Sequence, residues 1–283
     1  MLVVHGGGLK LEARRTAIGS YHCRYSAGCV IGSRLPHRER REQRSALQPY
    51  VQCTYTATVP ERREPFLLRV RPDCFVDVLW GPTGSLRVAG PDRRYRTVAL
   101  PPGELVAVRF HRGTAGPIIG VPLSAIADQR VPLSDLWGKP AERLADELDG
   151  ATPAAARTAL RAALLARLAG APPPDALVGV VTAALRRSPA TRVTELCDRF
   201  GVSERNLRRR FHAALGYGPK RVQRIFRVHR FVQLCRDSNE VESLAQLANC
   251  AGFADQAHLT NECVELAGLT PAALRQEVAA SRL

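Results

Sequence analysis

The feature that most constrains this chain is a pattern that occurs twice in its C-terminal third. Val193-Thr-Glu-Leu-Cys-Asp-Arg-Phe200, the turn Gly201-Val202, and Ser203 to Leu215 followed by Gly216 read as helix, tight turn, helix. Val193, Leu196 and Phe200 share one helical face, and Leu207, Phe211 and Leu215 share the next. Ser203 is placed to cap the second helix, and Gly216 to end it in a left-handed turn. The same order returns as Val241 to Ala248, a turn through Gly252-Phe253, then Asp255 to Leu266 and Gly268. Gly216-Tyr-Gly-Pro219 answers Gly268-Leu-Thr-Pro271, Leu196 answers Leu244, Leu207 answers Leu259, and capping Ser203 answers capping Asp255. Such a duplication predicts an all-α domain of two helix-turn-helix units. Pro219 to Arg236 reads as one connecting helix, roughly 27 Å long at 1.5 Å per residue. That length suits two reading helices near the ~34 Å separation of successive major-groove faces.

What lies opposite the apolar faces bears on function. From Ser203 to Arg230 there are nine basic residues (Arg205, Arg208, Arg209, Arg210, Lys220, Arg221, Arg224, Arg227, Arg230) and one acid, Glu204. A guanidinium grips a phosphate, or reads O6 and N7 of guanine, with two parallel hydrogen bonds, and the major groove admits a helix. The plainer reading is a solvated basic face that binds nothing. A net charge of +15 over the whole chain favours a polyanionic partner, nucleic acid or an anionic membrane surface. No stretch approaches the roughly 18 uncharged apolar residues of a membrane span, and the apolar Met1 to Val4 is too short for a signal peptide, so a cytoplasmic, non-membrane protein is expected.

The chain of 283 residues has room for two domains, and 45% apolar with 24% charged residues is a folding composition. Residues 1–43, basic and Gly-rich and ending in Arg38-Glu-Arg-Arg-Glu42, read as a disordered extension. Within 44–170, Tyr50 to Thr58, Phe66 to Val70, Phe75 to Trp80, Leu86 to Ala89 and Leu105 to Phe110 read as strands between Pro/Gly breaks. Two helices follow, split by Gly150-Ala-Thr-Pro153. The second carries the stripe Leu160, Leu164, Leu165, Leu168, more often a core or domain-interface face than a dimerisation surface. Pro172-Pro-Pro174 cannot continue a helix, so 171–174 is a stiff linker. Residues 175–283 then open with Asp175 capping a helix Ala176 to Arg187. The fold class is α+β, a β-rich domain with a helical hairpin followed by the all-α tandem helix-turn-helix domain. Eight widely spaced cysteines with no C-x-x-C pair read as reduced thiols, with Cys197 and Cys250 as small core residues.

Residues 178–275 resemble the DNA-binding domain of AraC/XylS-type transcription regulators. The most specific string is Cys250-Ala-Gly-Phe-Ala-Asp-Gln-Ala-His-Leu-Thr260 with Gly268-Leu-Thr-Pro271 behind it. The resemblance implies base-reading positions at Arg205, Arg208 and Arg209 in the first unit and at Gln256, Ala257, Thr260 and Asn261 in the second. Ser203, Asn206, Lys220 and Arg224 complete the expected DNA-contacting set. The chain departs from the family after Leu259-Thr260, where basic residues are usual and this helix has Asn261-Glu-Cys-Val-Glu265. Asp255, Glu262 and Glu265 should be repelled by phosphates unless Gln256, His258 or Asn261 gives polar readout, so the first unit is expected to dominate affinity.

The segments Arg69 to Trp80, Val88 to Asp92, Arg109 to Gly116 and Leu136-Trp-Gly138 resemble the uncharacterised sensor-like domain that precedes this module in many bacterial regulators. That resemblance implies a β-rich, cupin-like fold that binds a small-molecule effector, forms a homodimer, or both. Asp73, Asp77, Asp92 and His111 offer a binding or metal constellation, but carboxylates beside Pro and Gly are more often turn formers or caps. No short catalytic motif is present. The leading reading is a sequence-specific regulator of promoter DNA, with RNA polymerase as its protein partner, no cofactor and no enzymatic activity. The alternative is a cupin-like enzyme fused to a DNA-targeting module.

Overall fold

Alternation of side chains along extended segments builds the N-terminal half. The computed structural model describes residues 37–41, 45–61, 63, 66–237 and 242–280. Its first seven strands are β1 (His37–Arg41), β2 (Val51–Val59), β3 (Phe66–Val70), β4 (Asp77–Trp80), β5 (Leu86–Ala89), β6 (Arg96–Leu100) and β7 (Gly103–Phe110). After α1 (Ala115–Ile119) and a single 3-10 turn at Leu123–Ala125 comes β8 (Arg130–Pro132). The main sheet is antiparallel in the order β1-β2-β7-β4-β5-β8, and β3 pairs with β6 in a separate ribbon.

Strand β7 shows how the faces divide. Val106, Val108 and Phe110 point into the main core with Val78, Trp80 and Val88, whereas Ala107 and Arg109 lie on the opposite face with Tyr55 and Asp77. Over the first face pack α2 (Leu133–Trp137), α3 (Lys139–Leu148) and α4 (Pro153–Leu168). Thr152 caps α4 by accepting from the Ala155 amide, with Pro153 in the first turn. Leu160 and Leu164 are buried in this core, and Leu165 and Leu168 pack against it, so the leucine stripe is a core face.

The C-terminal half is all-helical: α5 (Ala176–Arg187), α6 (Val193–Phe200), α7 (Glu204–Leu215), α8 (Pro219–Asp237), α9 (Leu244–Ala251), α10 (Gln256–Ala267) and α11 (Pro271–Ala280). One apolar core joins them, around Leu185, Leu207, Phe211, Phe231, Leu259 and Leu274. Asp175 caps α5 through the Leu177 and Val178 amides, as the sequence predicts.

Three expectations need correction. Within the stretch read as a disordered extension, residues 37–41 form edge strand β1 against β2, with Arg38 and Arg40 exposed; residues 1–36 lie outside the described residues. Such charged side chains blunt an exposed edge. The second unit opens at Leu244 rather than Val241, because Ser243 and Gln246 close a reciprocal capping box there. Cys250 is exposed: the buried stripe of α9 is Leu247, Ala248 and Ala251, which leaves position 250 on the far side.

The two halves interlock. Cys74, from the loop before β4, is buried in the helical core beside Tyr217. The Arg112 guanidinium stacks 3.8 Å from the Phe75 ring centre and 5.4 Å from that of Phe226. His229 lies with Nε2 2.8 Å from the Pro72 carbonyl oxygen, and Arg69 and Arg71 both pair with Glu277 of α11.

Candidate nucleic-acid interface

In the first unit, Val193, Leu196 and Cys197 bury α6, and Gly201 takes the left-handed conformation (φ 60°) that turns the chain into α7. The Ser203 hydroxyl accepts from the Asn206 amide at 3.3 Å, and Leu207, Phe211 and Leu215 seat α7 in the core. That orientation leaves Arg205, Arg208 and Arg209 exposed. Arg209 donates to the Asn206 side-chain oxygen at 3.2 Å, which orders its guanidinium without neutralising it. These arginines and His212 form one wall of an open groove; Pro122 and Ser124 of the N-terminal half form the other. Desolvation, then the charges of Arg208 and Arg93, push the His212 imidazole below its ordinary range.

The basic run is divided by structure. Arg210 pairs with Asp175 at 3.1 Å, and Arg227 donates to the Pro189 carbonyl oxygen. Arg221 donates to Glu265 at 2.7 Å; Arg224 donates to both oxygens of Glu262, at 2.7 and 2.9 Å, and also to Glu265. Lys220 and Arg230 stay exposed. Of the expected DNA-contacting residues, Arg224 is therefore engaged inside the protein, whereas Ser203, Arg205, Arg208, Arg209 and Lys220 face outward.

In the second unit, Asp255 caps α10 by accepting from the His258 amide at 2.7 Å. Gln256, Ala257 and Asn261 are exposed, while Thr260 is half-buried and its hydroxyl donates back to the Gln256 carbonyl oxygen. Glu262 is buried and Glu265 half-buried. Desolvation alone would raise the Glu265 carboxyl, but hydrogen bonds from Arg221 and Arg224 outweigh it and hold it below the usual carboxylate range. Most of the negative charge assigned to this helix is thus spent on α8 rather than turned toward solvent. The signal was in the sequence: Arg221 and Arg224 stand three apart on α8, and Glu262 and Glu265 three apart on α10. His258 packs edge-on against Phe253, with ring centres 5.3 Å apart.

The carboxylates considered for a metal are engaged elsewhere. Asp77 takes a bidentate pair from Arg109, at 2.8 and 2.7 Å, and accepts from the Tyr55 hydroxyl; Asp73 lies 3.6 Å from the same guanidinium. Asp92 pairs with Arg130 at 2.6 Å, and His111 is exposed. Among the described residues, no group of three or more His, Cys, Asp or Glu side chains is placed to hold a metal ion, and no helix is long and apolar enough to cross a membrane.

Residues 196–277, from inside α6 to α11, match a family model described as a helix-turn-helix domain. The C-terminal domain is an AraC-type helix-turn-helix domain. The AraC-type match spans both units and the connecting helix, and it marks the chain as a DNA-binding transcription regulator. Residues 41–132, from the end of β1 to the end of β8, match a domain of unknown function, DUF6597. No curated protein matches the chain. Among solved structures, ToxT from Vibrio cholerae is similar at 8% identity and a TM-score of 0.43, covering 81% of this chain and 98% of that one. A second ToxT structure, from Vibrio cholerae O395, is similar at 10% identity and a TM-score of 0.36, covering 75% and 88%.

Proposed function

We propose that this chain recognises promoter DNA by sequence, with the first helix-turn-helix unit dominating affinity. The observation that supports this is the outward-facing row Arg205, Arg208 and Arg209 on a capped helix whose other side is locked in the core. The α10 helix offers only neutral readers, Gln256, Ala257 and Asn261, and contributes selectivity with little phosphate attraction. RNA polymerase is its protein partner at the promoter, and the chain works in the cytoplasm without enzymatic activity. The N-terminal half senses a small-molecule effector, pairs two copies, or does both.

The test begins with genome-wide mapping of bound sites, followed by titration of the full chain against the best site and against random duplex at fixed salt. A preference of about 10³-fold or more is expected of a specific reader. Replacing Arg205, Arg208 and Arg209 together by alanine should abolish both kinds of binding, whereas Gln256→Ala with Asn261→Ala should mainly narrow the preference. A preference near one, or a triple variant that binds like the original, would refute this function.

A further inference from the structure

Both reading helices end against the same N-terminal loop, residues 91–95 between β5 and β6. At the end of α7, Gly216 (φ 83°) lies so close to it that a Cβ there would stand 2.5 Å from Pro91 Cγ. At the end of α10, Gly268 (φ 68°) meets Tyr95, whose ring would lie 2.6 Å from such a Cβ. These two glycines occupy equivalent positions of the duplicated unit, so one loop grips the matching ends of both repeats. Between the two grips, Arg221 of α8 donates to the Arg93 carbonyl oxygen, and Arg94 lies 3.7 Å from Glu265.

The loop is itself anchored. The Arg93 amide and guanidinium donate to the Asp128 carboxylate, and the Asp128 amide donates to the Pro91 carbonyl oxygen at 3.0 Å. Buried Asp92 holds Arg130 of β8, and the Arg96 guanidinium donates to the Asp128 carbonyl oxygen at 2.8 Å. Movement of the loop therefore means movement of the β5–β8 edge of the sheet.

We propose that the 91–95 loop is a specificity-determining clamp: it fixes the angle and separation of α7 and α10, and so sets the spacing between the two half-sites the chain accepts. The proposal rests on the function above. Inserting one base pair between half-sites moves the second by roughly 3.4 Å and turns it by roughly 36°, from the pitch of ten base pairs in about 34 Å. A gripped pair of helices cannot follow that shift, whereas a pair held only through α8 and the shared helical core has more freedom.

The test uses the full chain with Tyr95→Ala and Arg94→Ala combined, since the Arg94 side chain is 75% exposed and Tyr95 is 41% exposed. Spectroscopic labels carried by bio-orthogonal residues at exposed Glu204 and Gln256 report the distance between α7 and α10 without DNA. A single narrow distribution is expected in the natural chain and a broad one in the double variant, with Tyr95→Phe restoring the narrow form because it keeps the ring. On unlabelled protein, a one-base-pair insertion should weaken binding by about tenfold or more in the natural chain and by less than about threefold in the double variant. An unchanged distance distribution, or an unchanged insertion penalty in a variant that still binds, would overturn the clamp alone. A natural chain that binds no duplex would overturn the spacing role together with the function it rests on.

Discussion

Arg209 and Lys220 are both exposed cations, and under the proposed function they should separate reading from holding. Arg209 is ordered by Asn206 on the outer face of α7, so Arg209→Ala should cost about 1 to 3 kcal/mol on the preferred site and relax base choice at one position. Lys220, at the start of α8, should act on phosphate: Lys220→Ala should weaken all sequences alike and lower the salt slope by about one. Competition titrations with single-base variants decide between the two roles. His229 gives a stability prediction. Desolvation, then the charge of Arg112, pushes its imidazole down to about 3. It is neutral in both the folded and unfolded chain above about pH 6.5. Between that value and 3 only the unfolded chain takes the proton, so stability falls as pH falls through this window, by roughly 1 kcal/mol per unit. Urea unfolding at pH 7, 6 and 5 should show a shallower acid loss for His229→Gln, and equal losses would refute this account. Single residues were legible where their role is local. As helix caps, Ser203, Asp255, Gly216 and Gly268 act within four residues of themselves. Asp77, by contrast, finds Arg109 only once β4 and β7 pair, and no local pattern announces it.

At the scale of elements, the α8–α10 contact is stapled by charge as well as by apolar packing. Because Glu262 is buried and Arg224 only partly so, Glu262→Ala should destabilise the domain by about 1 to 3 kcal/mol. A double-mutant cycle with Arg224→Ala should return part of that cost as coupling energy, and additive losses would show that the two groups act separately. The helices were readable from sequence because caps and 3.6-residue periodicity agree: α5, α6 and α7 begin and end where Asp175, Gly201, Ser203 and Gly216 say they should. Strands fared worse. β6 sits behind the basic run Arg93-Arg94-Tyr95-Arg96, and its partner β3 is some thirty residues away, so the strand is defined by a pairing that no local window contains. The same holds for β1, whose arginines look like tail sequence until β2 is beside them.

For the whole molecule, the seam between the halves is part of the fold. Arg69 and Arg71 converge on Glu277, Arg112 is stacked between Phe75 and Phe226, and the 91–95 loop touches the ends of both α7 and α10. Heat or urea should therefore unfold the chain in one transition, with sheet and helix signals coinciding. Two resolved transitions would mean that the seam contributes little. The triple proline suggested halves on a stiff spacer, but a spacer also serves domains that touch, and the contact depends on surfaces more than a hundred residues apart. The Cys74 thiol illustrates the cost of ignoring this. It belongs by sequence to the β-rich half and by burial to the helical one, filling space next to Tyr217. Cutting the chain at the prolines would leave a vacancy under that phenol ring and strip Glu277 of both its arginines. Grafting the helical half onto a foreign N-terminal domain would succeed only if the new domain brought an equivalent plug.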